Sequence, residues 1–130
     1  MKVHSPYKSK GGFGRLLNAL RYSAKGLYAA FRHEAAFRQE LLAACVLVPA
    51  AIFLARSVVE ALLLVGVLVF VLIVELVNSA LEALADTITL DHHPLIGRAK
   101  DLGSAAVLLA ILFATAVWVT MLGARFGIWS

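Results

Sequence analysis

Ala61-Leu-Leu-Leu-Val-Gly-Val-Leu-Val-Phe-Val-Leu-Ile-Val74 is a run of fourteen apolar residues that leads directly into Glu75-Leu-Val-Asn-Ser-Ala-Leu-Glu-Ala-Leu-Ala-Asp86. Carried through as one helix at about 100° per residue, this stretch puts Glu75, Asn78, Glu82 and Asp86 on one face within roughly 80° of arc. The spacing predicts a membrane helix with a polar stripe towards one end. Ionisable groups at membrane depth cost at least ~2.5–3.5 kcal/mol each, so such a stripe is a candidate functional site. Glu75 and Glu82 are seven residues apart, roughly 10 Å along the axis, close enough to act on one substrate or share a cation.

The rest of the composition agrees. The chain has 130 residues, is 62% hydrophobic and has a mean hydropathy of +0.88, which excludes an ordinary soluble domain. Two further apolar stretches, Leu41–Ala55 and Leu102–Leu122, join the first. The expected fold is all-α in one membrane domain, with transmembrane helices over 35–55, 58–86 and 101–122. Of the twelve Lys and Arg, eight precede the first apolar stretch at Leu41 and two, Arg98 and Lys100, lie between the second and third spans. Arg56 and Arg125 are alone on the other side. The positive-inside rule therefore predicts a cytoplasmic N-terminus and 87–101 loop, with the C-terminus outside. The net charge of +4 suits anionic membrane lipid better than nucleic acid, and no nucleic-acid partner is expected. The basic start lacks the pattern of a signal peptide. Cys45 is single, which excludes a disulfide framework or a cysteine metal site.

Residues 1–12 are expected to be a mobile tail. Over 14–33, Leu16, Leu20, Leu27 and Phe31 project within about 60° of one another, opposite Asn18, Arg21, Lys25 and Arg32, as in a helix lying on a membrane surface. Glu34 falls at the angular position of Leu16, an acid where the pattern asks for a hydrophobe, and so calls for a partner. Pro94 and Gly97 are expected to break the chain before the third span, which would start near Lys100-Asp101. Ala106, Ala110 and Ala114 then form a small-residue stripe for helix packing. Three helices cannot both cover the 75–86 stripe and form a cleft, so oligomerisation is expected.

Both common glycine-rich nucleotide loops are absent, as is any Ser-His-Asp arrangement. His92-His93 beside Asp91 is a weak metal signal. For Glu75, Asn78 and Glu82 three readings stand: a structural polar seam, a proton-coupled transporter, or phosphoryl transfer. Clustering at one end of the span, facing a loop with Arg98, Lys100 and Asp101, favours the last, with carboxylates for Mg²⁺ and cations for phosphate.

Three blocks carry a family resemblance: Glu34-Ala-Ala-Phe-Arg-Gln-Glu40, Val74-Glu-Leu-Val-Asn-Ser-Ala-Leu-Glu82 with Asp86, and Gly97-Arg-Ala-Lys-Asp-Leu-Gly-Ser-Ala-Ala-Val107. Together with Tyr22-Ser-Ala-Lys-Gly-Leu27, they resemble the prokaryotic diacylglycerol kinase family over about residues 13–125. The resemblance implies a homotrimer in the bacterial inner membrane that transfers the γ-phosphate of ATP to diacylglycerol, giving phosphatidate. It implies Glu75 as general base, with Asn78 and Asp86 ordering the site, and Glu34 and Glu82 as ligands of the Mg²⁺ that accompanies ATP. Arg15, Tyr22, Lys100, Asp101 and the Asp91, His92, His93 segment match its nucleotide contacts. Ser23, Tyr28, Phe31, Phe37, Arg38, Gln39, Glu40, Ser104 and Trp118 match its lipid side. The sequence departs from the family pattern at Ala24, where a Trp is familiar, at His92, where a Tyr is, and at Arg56 and Glu60. An undecaprenol kinase of the same fold is the nearest alternative, and the 34–40 block favours diacylglycerol.

Overall fold

The computed structural model describes residues 11–129, and the expected tail falls almost wholly outside them. The described residues form four α-helices and no strand: α1 (Gly12–His33), α2 (Ala35–Leu54), α3 (Val58–Ile88) and α4 (Pro94–Arg125). Residues up to Glu34 form one unit and those from Ala35 onward a second.

In the first unit, α1 has no acidic residue in its first turn and carries Arg32 and His33 in its last, where cations favour the helix dipole. Its Leu16, Leu20, Leu27 and Phe31 are all at least half exposed. Glu34 ends the helix in an extended conformation, its N–H donating to the Ala30 carbonyl.

The second unit holds three helices of 20, 31 and 32 residues, each long and apolar enough to cross a bilayer, and the protein is a multi-pass membrane protein. α3 packs against both α2 and α4. Its buried residues Leu64, Val67, Val71, Glu75 and Asn78 recur every three or four positions, the spacing of a single helical stripe. α2 answers with Ala44 and Ala51, and α4 with Ala110, Ala114 and Trp118. Of the expected alanine stripe, Ala110 and Ala114 are buried while Ala106 is exposed. Within the bilayer, packing of this kind is driven by close van der Waals contact and a few polar bonds. One such bond crosses the core: the Trp118 indole N–H donates to the Leu64 carbonyl at 3.1 Å. Phe70 and Phe113 add an edge-on ring contact.

The connections show how the polar residues that interrupt the apolar runs are used. Ser57 caps α3 by accepting from the Glu60 N–H at 3.1 Å, and Glu60 reaches back to accept from the Arg56 N–H at 3.0 Å. This reciprocal cap explains a glutamate in the first turn of a membrane span. Before α4, the His93 Nδ1 accepts from the N–H groups of Leu95 and Ile96 at 3.2 and 3.5 Å, with Pro94 as the first helical residue. The helix thus begins at Pro94, seven residues before the start expected from the breakers, and the connection is only 89–93. Proline at a first helical position lacks an N–H that would have had no partner in any case, so it starts a helix as readily as it ends one.

At the far end of α4, Gly127 takes φ +73° and turns the chain back. The Trp129 indole then occupies the space a Gly123 side chain would need and donates to the Thr120 carbonyl at 3.0 Å. Trp118→Phe keeps the ring's bulk in the core but removes the bond to Leu64. The free energy of unfolding in mixed detergent is expected to fall by about 1 kcal/mol. An unchanged value would show that the bond adds nothing to helix association.

Candidate active site

Counting about 20 residues from Val58 crosses the hydrocarbon and ends near Val77. At this depth the buried stripe of α3 changes from aliphatic to polar. Glu75, Asn78 and Ser79 are buried, Glu75 at 4% exposure. Helical spacing pairs these groups along the axis. Ser79 Oγ donates to Glu75 Oε1 at 3.5 Å, and Asn78 Nδ2 donates to Glu82 Oε1 at 3.4 Å. One turn further on, Asp86 Oδ1 accepts from Lys100 Nζ of α4 at 2.6 Å. Lys100 is brought there because α4 begins early, which places it within the helix. The bond at the exposed end lies in high dielectric and contributes orientation more than stability.

From α2, Glu40 lies near enough to Glu75 for the two carboxyl groups to repel each other. It also lines a cavity of about 440 Å³ between α2, α3 and α4, whose other walls include Ala43, Leu47, Val71, Ile111 and Trp118. Two buried oxygens, Glu40 Oε2 and Asn78 Oδ1, have no donor among the described residues. A carboxylate that lines an apolar cavity can receive a proton from an amphiphile whose chain lies in the cavity.

The second unit therefore brings together Glu40, Glu75, Asn78, Glu82, Asp86 and Lys100. Phe37 is buried near the start of α2, while Arg38, Gln39, Asp101 and Ser104 are exposed. Trp118 lines the cavity with its ring and spends its N–H on Leu64. In the 91–93 segment all three residues are exposed, and His93 uses its Nδ1 to cap α4. Arg15, Tyr22, Ser23, Tyr28 and Phe31 lie on exposed faces of α1, and Lys25 Nζ is 5.8 Å from the centre of the Tyr22 ring. Glu34 and Glu82 belong to different units. No group of three His, Cys, Asp or Glu side chains able to hold a metal occurs among the described residues.

One participant has no role in the sequence reading. Gly103 of α4 faces Asn78, and a Cβ there would collide with the Asn78 Oδ1. A glycine inside a long helix is the available signal, since it costs ~1 kcal/mol against alanine and is kept where something approaches closely.

The fold and these side chains define a class: a small helical membrane protein with a carboxylate site where its spans leave the hydrocarbon. The sequence profile of prokaryotic diacylglycerol kinase matches residues 21–122. The diacylglycerol kinase of Pseudomonas aeruginosa is 49% identical over 118 residues, covering 91% of this chain and 96% of that one. Those of Escherichia coli K12 and Helicobacter pylori 26695 are 47% and 41% identical, over 89% and 87% of this chain and 95% and 88% of theirs. The chain belongs to the prokaryotic diacylglycerol kinase family and is a membrane kinase.

Gly103→Ala is expected to push the Asn78 amide away from Glu82, destabilising the protein by about 1–3 kcal/mol and lowering kinase activity. Adding Asn78→Gly to it should restore thermal stability but not activity. Full activity of a stable Gly103→Ala protein would show that the Asn78 position is not critical.

Proposed function

We propose that this protein phosphorylates diacylglycerol to phosphatidate with ATP, at the cytoplasmic face of the bacterial inner membrane and as a homotrimer. The observation that carries this reading is the burial of Glu75 where the apolar stripe of α3 ends, one turn beyond Val71, which lines the apolar cavity. The names of the relatives supply the substrate, and the crowding of Lys and Arg before α2, with Arg98 and Lys100 in the first two turns of α4, supplies the orientation.

Glu75 takes the proton from the lipid hydroxyl as its oxygen attacks the γ-phosphorus, and ADP leaves. The Ser79 hydroxyl donates to one Glu75 oxygen and helps hold the carboxyl in place. Lys100, oriented by Asp86, adds positive charge beside the phosphates, with Asp101, Arg15, Tyr22 and the 91–93 segment as further nucleotide contacts. Glu82 keeps its second oxygen after binding Asn78, and with Glu34 it offers the hard oxygen donors that suit Mg²⁺. Mg²⁺ is commonly held by one or two carboxylates plus substrate phosphates, so two such residues are enough. When bound, the ion neutralises charge on the transferred phosphate. Arg38 and Gln39, exposed near the start of α2, are placed to hydrogen-bond the ester groups of the lipid. α1 lies on the membrane surface and contributes Ser23, Tyr28 and Phe31 to the lipid side. The homotrimer brings Glu34 of one subunit to Glu82 of another.

Glu75→Gln preserves shape but not the negative charge. In mixed micelles it is expected to lower phosphatidate formation at least ~10²-fold with assembly unchanged. Near-normal turnover by the assembled variant removes Glu75 from the role of base. Glu34→Gln and Glu82→Gln should each raise the MgATP concentration required. Mixed trimers of inactive Glu75→Gln and Glu34→Gln subunits should regain activity, and failure of assembled mixtures to do so assigns each site to one chain. In direct competition diacylglycerol should be phosphorylated ahead of undecaprenol, with Gln39→Leu narrowing the gap. The reverse preference assigns the protein to undecaprenol.

A further inference from the structure

α2 and α4 both pack against α3 and scarcely touch each other, and the cavity lies in the gap between them with α3 as its back wall. Ala43 and Ala114 keep this gap open where larger side chains would close it. The walls offer a ligand almost nothing polar. The Thr115 hydroxyl donates to the Ile111 carbonyl at 2.8 Å, and the Trp118 indole N–H is engaged by the Leu64 carbonyl. Glu40 is the one charged residue among the walls described, and it stands on the second turn of α2, towards the end of the bundle that carries the polar stripe. Two contacts set the register between α3 and α4: Gly103 faces Asn78, and Trp118 reaches Leu64. On that register Leu122, the deepest wall residue, is level with the first turn of α3. From the level of Glu75 down to Leu122 is then roughly 24 Å at ~1.5 Å per residue.

We infer that this groove seats one acyl chain of the lipid substrate, extended along α4, and that Val119 and Leu122 at its deep end set the preferred chain length. The inference rests on the protein being a diacylglycerol kinase with Glu75 at the reacting hydroxyl. Length and volume agree on the occupant. Roughly 24 Å takes the glycerol, its ester and an extended chain of roughly sixteen carbons. A cavity of about 440 Å³ holds roughly fifteen methylene groups, each near the ~30 Å³ of a water molecule, which is one chain and not two. A helix from another subunit, ~10 Å across, needs several times this volume. The second chain of the lipid stays in the bilayer. Entering the groove from lipid brings no hydrophobic gain, because lipid tails are as apolar as leucine, so selection comes from packing. A chain too long for the groove holds its glycerol away from Glu75, and one too short leaves a void beside Val119 and Leu122. Reaction at the head thereby depends on fit at the tail.

Photolabelling and competition test this on the full chain in lipid. A 16-carbon diacylglycerol with a diazirine at the chain end, irradiated without ATP, is expected to label α4 between Thr115 and Leu122. Labelling confined to other segments overturns the inference. Equal labelling by a phosphatidylcholine carrying the same chain also overturns it, since the groove would then be a seat for bulk lipid. In competition among 12-, 16- and 20-carbon diacylglycerols at equal mole fraction, the wild type is expected to favour 16 carbons. Leu122→Trp should lower the 16-to-12-carbon ratio of kcat/KM about tenfold or more, as expected for overpacking. Leu122→Ala should move the preference to longer chains. Leu109→Trp, at an exposed position of α4 that lines no part of the cavity, should leave the ratio alone. The same ratio in wild type and both folded Leu122 variants overturns the inference. A protein that phosphorylates none of these diacylglycerols refutes the kinase reading instead, and the labelling still reports whether the groove takes the chain.

Discussion

A buried carboxyl group within a membrane protein has few stable settings, and the arrangement of this molecule follows from providing one for Glu75. The carboxyl lies on the stripe of α3 that faces the other helices, away from lipid. Ser79, one turn on, offers it a hydroxyl, and Glu40 lies near it on α2. Removing the hydroxyl would leave hydrogen-bonding capacity unsatisfied in a medium that has no water to replace it. The same stripe, a few turns back, is purely aliphatic and packs against Ala51, Ala110 and Ala114. One helix face thus serves first as packing seam and then as chemical site, and the change occurs where the hydrocarbon ends.

The length of α3 makes this possible. At about 1.5 Å per residue its 31 residues extend roughly 46 Å, well beyond a ~30 Å hydrocarbon core. The excess carries Asn78, Glu82 and Asp86 into the interface in graded exposure, from buried to open. Asn78 and Glu82 bond each other, and Asp86 bonds Lys100. On the proposed roles, a proton acceptor in the dry part and metal-binding and phosphate-binding groups in the wet part would match the two substrates, one from the bilayer and one from the cytoplasm.

Much of this was legible in the sequence. The apolar run and its polar continuation specify the long helix, because a 3.6-residue period puts Glu75, Asn78, Glu82 and Asp86 on one face. The resemblance at the 34–40, 74–82 and 97–107 blocks named the family. Other features were not legible, for identifiable reasons. Pro94 suits either the end or the start of a helix, and the choice depends on whether a capping side chain precedes it, which His93 does. Glu60 looks like an interruption until its reciprocal bonds with Ser57 and Arg56 are seen. The contact of Gly103 with Asn78 and the proximity of Glu40 to Glu75 join residues distant in sequence, and periodicity within one helix carries no information about them. The Trp118 indole bond to Leu64 is of the same kind.

The turn between α2 and α3 bears on how the protein enters its membrane. On the proposed orientation this turn must be carried through the bilayer during biosynthesis, with Arg56 and Glu60 aboard. Their side chains pair at 3.8 Å, and the same glutamate occupies a free backbone N–H of the turn. The translocated tip therefore has no net charge and fewer unmet hydrogen bonds than its composition suggests. α2, the turn and α3 form a self-contained hairpin suited to insertion as one body, with the cation-rich segments on either side acting as stops. The residues at this end, remote from the chemistry, thereby help decide on which side of the membrane the chemistry is done.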